Sequence, residues 1–222
     1  YQMMGKDVDG GFAEYIKVPA RNVLKLPEAT PFEQGAIIGC AVSTAFHALR
    51  RGRVHAGDTV LIYGVGGVGA HAVQLAAKVF GAGNVIAVDV SDEKLKLAKR
   101  LGANEVVNVA AEEDTLVEVK EITEGKLGDV ALEFIGHKET IEKAIDCVGK
   151  GGRMIIVGVG PEDIRVSPYK TVIAKEMELI GVNDHLKSEM AQVIQLVSSG
   201  KISLSSSITH RLPLEEINRG ME

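Results

Sequence analysis

The 222-residue sequence contains no tryptophan, only 4% aromatic residues and only two cysteines, Cys40 and Cys147. Two thiols are too few for a disulfide framework and suit a reducing compartment. No apolar run approaches the roughly 20 residues of a membrane-spanning helix, and no charged-then-apolar leader opens the chain. The formal charge is −5, from 25 basic and 30 acidic residues, with no polybasic stripe. The electrostatic footprint of a phosphate-backbone binder is therefore missing. These absences exclude a secreted disulfide scaffold and argue against nucleic acid or a membrane as partner. The expectation is a soluble cytoplasmic protein.

From about Asp58 onward, short β-branched runs alternate with helical stretches. The runs are Thr59–Tyr63, Val85–Val88, Glu105–Val109, Val130–Ile135, Arg153–Val157 and Met177–Val182. They are apolar on both faces rather than alternating, as strands covered on both sides by helices must be. Helical spacing marks Val68–Phe80, Ser91–Leu101, Glu112–Glu124 and Lys138–Val148. Ser91 is a candidate N-cap, and Leu101-Gly102 and Val148-Gly149 put glycine where a helix would end. The pattern predicts an α/β fold, a doubly wound parallel six-stranded Rossmann sheet in the order 3-2-1-4-5-6. The flanks lack this rhythm. Residues 1–41 hold a candidate strand at Gly11–Val18 and three prolines, and residues 186–222 a helix at Ser188–Ser199 and a candidate strand at Ile208–Leu212. The flanks read as parts of a second domain into which the sheet domain, 42–185, is inserted. Both ends read as cut from a longer protein.

After the first strand comes Gly64-Val65-Gly66-Gly67-Val68-Gly69, directly followed by a helix. Gly64 would permit the tight turn, Gly66 the close approach of backbone to a diphosphate, and Gly69 the packing of helix on strand. The helix N-terminus then offers free N–H groups and the positive end of its dipole. The second strand ends in Asp89, twenty residues after Gly69. A carboxylate there can accept from both ribose hydroxyls and would repel a 2′-phosphate, so the loop points to NAD rather than NADP. Two other readings exist. The glycines could be purely structural with Asp89 only capping a helix, or the unit could be a Rossmann-like methyltransferase. The latter usually lacks the third glycine and ends on an antiparallel strand.

Six longer segments carry a resemblance: Asp9–Pro19, Gly39–Leu49, Gly57–Gly69, Val88–Ala103, Gly151–Val159 and Ile208–Glu222. In this order they resemble the zinc-dependent medium-chain alcohol dehydrogenase family over nearly the whole chain. The resemblance implies that the flanks are remnants of a GroES-like catalytic domain. It implies Cys40 as a ligand of the catalytic zinc, Thr44 as a catalytic residue at the nicotinamide, and Val68 packing beside it. Lys94 would join Asp89 at the adenosine ribose, and Val157, Gly158 and Val159 would line the carboxamide. A zinc with one open position would bind an alcohol or carbonyl oxygen and stabilise the alkoxide while hydride moves to NAD.

The sequence departs from that family in its metal donors. No His-Glu dipeptide occurs, no four-cysteine lobe is present, and the six histidines form no close spacing with Cys40. Cys147, at an apolar helix end, reads as core. The expectation is therefore an NAD-dependent alcohol or polyol dehydrogenase of which this chain is the cofactor-binding part, inactive alone. The alternatives are a zinc-free NADPH-dependent quinone or enoyl reductase and a non-catalytic dinucleotide-binding module. The resemblance also implies a homo-oligomer, a dimer or tetramer, joined through the last strand, whose edge would otherwise need protection.

Overall fold

The computed structural model describes residues 4–110 and 114–221. Six strands form one all-parallel sheet: β1 Thr59–Tyr63, β2 Asn84–Asp89, β3 Glu105–Asn108, β4 Gly128–Glu133, β5 Val148–Ile156 and β6 Glu178–Gly181. Their order is β3-β2-β1-β4-β5-β6, so the chain reverses its direction of travel between β1 and β4. Leu61 pairs with Ile86 on one side and Ala131 on the other, which places three apolar strands at the centre. Two apolar layers cover the sheet. Val60 and Ile62 belong to one, Leu61 and Tyr63 to the other, because successive strand residues face opposite ways.

The helices are α1 Phe32–Ile37, α2 Ser43–Arg51, α3 Gly69–Leu75, α4 Asp92–Leu101, α5 Thr115–Ile122, α6 Lys138–Asp146, α7 Lys187–Ser198 and α8 Ile217–Met221. Their ends are chemically marked. The Ser91 hydroxyl accepts the Lys94 N–H at 3.4 Å to open α4, and Gly102, at φ +121°, closes it. Asp114 opens α5 by accepting the Leu116 N–H at 2.9 Å. Glu189 accepts the Leu186 N–H at 3.0 Å at the start of α7.

Several expectations need correcting. The helix at 68–80 is α-helical only through Leu75 and continues as a wider π turn, Ala76–Phe80. Val148 and Gly149 do not end a helix. Val148 pairs with Gly128 and opens β5, because Cys147 has already capped α6. The segments Gly11–Val18 and Ile208–Leu212 are not strands: neither finds a neighbouring strand, and most of their residues are exposed. The predicted start of the third helix, Glu112, lies outside the described residues.

The helix near residue 190 packs on α2. Its Val193, Ile194 and Val197, with Ile202 and Leu204 after it, are buried in the same apolar layer as Val60 and Ile62. Gln74 of α3 clamps this return segment, donating to the Ser203 carbonyl at 3.1 Å and accepting the Ser203 N–H at 2.8 Å. Among the described residues no helix is long and apolar enough to cross a membrane.

Candidate functional site

At the reversal of strand order, the loops after β1 and β4 leave in opposite directions and open a cleft at the carboxyl edge of the sheet. The cleft has a volume of roughly 400 Å3 and is lined by Gly64, Gly66, Asp89 and Lys94, together with Val90, Ile135 and others. Larger hollows, of 590 and 1340 Å3, are lined only by the flanking segments and contain none of the candidate residues.

The glycines of the first loop meet separate demands. Gly64 has φ +88°, a conformation that side-chain-bearing residues rarely adopt. A Cβ on Gly69 would stand 1.8 Å from the Gly64 carbonyl oxygen, so only glycine lets α3 begin this close to β1. Cβ atoms on Gly66 and Gly67 would meet nothing within 4 Å. Their backbone therefore borders open space. Val68 is half-buried and precedes α3.

Asp89 is 5% exposed and does more than the sequence suggested. Its Oδ2 accepts the Val65 N–H at 2.7 Å and its Oδ1 the Ser91 N–H at 3.0 Å. The carboxylate thus pins the glycine loop to the end of β2, with one lone pair on each oxygen left for a ligand. The helix cap itself is the Ser91 hydroxyl. Lys94 Nζ stands 3.9 Å from Asp89 Oδ1, on an exposed side chain at the mouth of the cleft. Sequence reasoning missed the apolar wall: Val90 is 63% exposed and Ile135 39% exposed, both unusual for such residues in this fold. The sequence showed only that a valine follows the strand-ending acid; that it faces outward is decided by the structure.

The remaining candidates do not line the cleft. Cys40 is exposed in a π turn, Ile38–Val42, and Thr44 is buried in the first turn of α2. Val157 and Gly158 are half-buried after β5, and Val159 is 95% exposed. Cys147 is fully buried, and burial pushes its thiol up from the ordinary range, as expected of a core thiol rather than a nucleophile.

The residues present fit a dinucleotide. An open glycine backbone at a helix start, a buried carboxylate with free lone pairs and an apolar wall meet around one cleft. They do not fit a zinc site. Cys40 is one thiol, and among the described residues no group of three or more His, Cys, Asp or Glu is arranged to hold a metal ion. A catalytic zinc needs three protein ligands.

The sheet order, parallel register and glycine turn define a Rossmann-type doubly wound protein. The sequence model described as "Zinc-binding dehydrogenase" matches residues 67–199. The chain is 38% identical over 219 residues to an alcohol dehydrogenase of Geobacillus stearothermophilus, covering 98% of this chain and 62% of that protein. It is 34% identical over 221 residues to an L-threonine 3-dehydrogenase of Bacillus licheniformis, covering 99% and 63%. The crystal structure of the alcohol dehydrogenase of Aeropyrum pernix superposes with a TM-score of 0.89 at 36% identity, over 99% of this chain and 63% of that one. The chain belongs to the zinc-binding dehydrogenase family and spans about three fifths of the length of these relatives.

Proposed function

We propose that this chain is the NAD(H)-binding part of an oxidoreductase that moves hydride between the nicotinamide and a small alcohol or carbonyl substrate. The observation that carries the reading is Asp89, a buried carboxylate on the lip of the cleft, tied to the glycine loop by the Val65 N–H. Bound there, the nicotinamide coenzyme supplies the hydride acceptor or donor. The chain's own residues do the rest. Gly66 and Gly67 leave room for the diphosphate, and α3 turns the positive end of its dipole toward that charge. In this reading Asp89 and Lys94 hold the adenosine ribose, Val90 and Ile135 cover the adenine, and Thr44, Val68 and Val157–Val159 are assigned to the nicotinamide.

Cys40 is proposed as one zinc donor of the whole protein, completed by ligands that no cluster among the described residues supplies. The natural substrate is an alcohol, polyol or hydroxy amino acid, in keeping with the alcohol and threonine dehydrogenases among the relatives. The setting is soluble and cytoplasmic.

Titration calorimetry with NADH and NADPH tests the coenzyme reading. Like charge between Asp89 and a 2′-phosphate is expected to cost at least about 1.4 kcal/mol, a factor of ten in affinity. Asp89→Asn keeps an acceptor for Val65 and removes the charge, so it should narrow the NADH preference. Equal affinity of the wild-type chain for both nucleotides, or binding of neither, would falsify the reading.

A further inference from the structure

Glu133 ends β4 and is completely buried. Its carboxylate collects backbone donors. The Ile135 N–H donates to Oε1 at 2.9 Å, and the Gly136 N–H straddles Oε1 at 2.9 Å and Oε2 at 3.1 Å. The Thr140 hydroxyl stands 2.8 Å from both Oε1 and the His137 carbonyl, and its single hydrogen favours the carboxylate as the stronger acceptor. The main-chain carbonyl of Glu133 serves the other side, accepting the Val157 N–H at 3.0 Å and the Gly158 N–H at 2.9 Å. One residue therefore holds the loop after β4 with its side chain and the end of β5 with its backbone.

The two loops also touch without slack. A Cβ on Gly158 would stand 2.1 Å from the Gly136 nitrogen and 2.7 Å from Glu133 Oε2, and one on Gly160 would stand 1.8 Å from the Gly136 oxygen. Residues 135–136 cannot shift without displacing 158–160. The first loop bears on the cleft through Ile135, which lines it and packs over Gly64. The second loop carries the segment Val157–Val159. Three donors, the Ile135 and Gly136 N–H groups and the Thr140 hydroxyl, satisfy the buried acid, and without it each buried N–H would be an orphan.

We infer that Glu133 is a positioning residue for the bound dinucleotide: its carboxylate fixes the adenosine-side loop, against which the nicotinamide-side loop, held by the Glu133 main-chain carbonyl, is packed. This rests on the coenzyme reading above. The test compares the wild-type chain with Glu133→Gln and Glu133→Ala by calorimetry with NADH and with 5′-AMP, and by amide hydrogen exchange without ligand. In Glu133→Gln one acceptor oxygen becomes a donor facing the Gly136 N–H. NADH, which spans both loops, should weaken about tenfold, and 5′-AMP, which reaches only the first, about threefold or less. Exchange should accelerate at Gly158–Gly160 together with Ile135–Gly136, while Ala131 and Leu132 stay protected. Glu133→Ala should exaggerate each effect, and if it does not fold the glutamine variant carries the test. Equal weakening of both ligands, unchanged NADH affinity, or faster exchange confined to 135–136 overturns the inference. Absence of NADH binding by the wild-type chain would instead remove the coenzyme reading on which the inference stands.

Discussion

His71 sits in α3 only two residues beyond the glycine turn, 4% exposed, with Nε2 3.3 Å from the Ser207 hydroxyl. Burial lowers its pKa from 6.5 to about 4, since a charged imidazole loses its hydration there. The folded state therefore keeps His71 neutral where an unfolded chain would protonate it. Above pH 6.5 both states are neutral and the group has no effect. As pH falls from 6.5 toward 4 the unfolded state gains the proton, and stability drops by about 1.4 kcal/mol per pH unit, roughly 3 kcal/mol in all. Urea unfolding of the wild-type chain and of His71→Gln at several pH values should show a shallower dependence in the variant across that window. Parallel curves would show that the imidazole does not titrate with folding. The sequence could not distinguish this histidine from His55, which is exposed, because burial is decided by the return segment folding over α3. Asp89 shows the same limit. Its place at the end of β2 was legible from strand length and spacing, whereas its grip on Val65 was not, since that bond joins residues 24 apart.

At the scale of elements, β6 forms one rim of the sheet. It pairs with β5 from Arg153↔Glu178 to Ile156↔Gly181 and has no partner on its other side among the described residues. Leu179 is 38% exposed on it, and Tyr169 and Ile173, in the turn just before it, are 70% and 63% exposed. An open edge flanked by apolar side chains is a template for another strand unless it is paired or guarded by charge. We propose self-association through this edge. Light scattering should find the chain larger than a monomer at micromolar concentration, and Leu179→Lys should shift it toward the monomer without lowering its melting temperature. A wild-type monomer under these conditions would sink the proposal. The central strands were readable because they are buried on both faces and therefore nearly uninterrupted in apolar character. Gly11–Val18 was misread for the converse reason: β-type composition cannot make a strand where no neighbour completes its hydrogen bonds.

For the whole molecule, the decisive quantity is how many metal donors meet in one place. Cys40 supplies one, and no further group of donors gathers among the described residues. The 222-residue chain is therefore expected to bind NADH, to lose zinc on dialysis and to produce no NADH from ethanol, sorbitol or threonine. Zinc retained at one per chain together with alcohol-dependent NADH formation would overturn this.

The sequence by itself determined the strands, helices and glycine turn, because these depend on short-range patterns (apolar period, helix caps and a turn that favours glycine), and the strand order followed from the doubly wound fold class they imply. Only the tertiary structure decided that Asp89 anchors the loop, that Glu133 joins two loops and that the segment around Ile202–Leu204 completes the core. The bonds from Val65 to Asp89, from Val157 and Gly158 to the Glu133 carbonyl and between Gln74 and Ser203 join groups brought together by chain reversal, whereas the Glu133 carboxylate reaches only its own loop. Their energies come from burial and from satisfying buried donors, which no local pattern encodes.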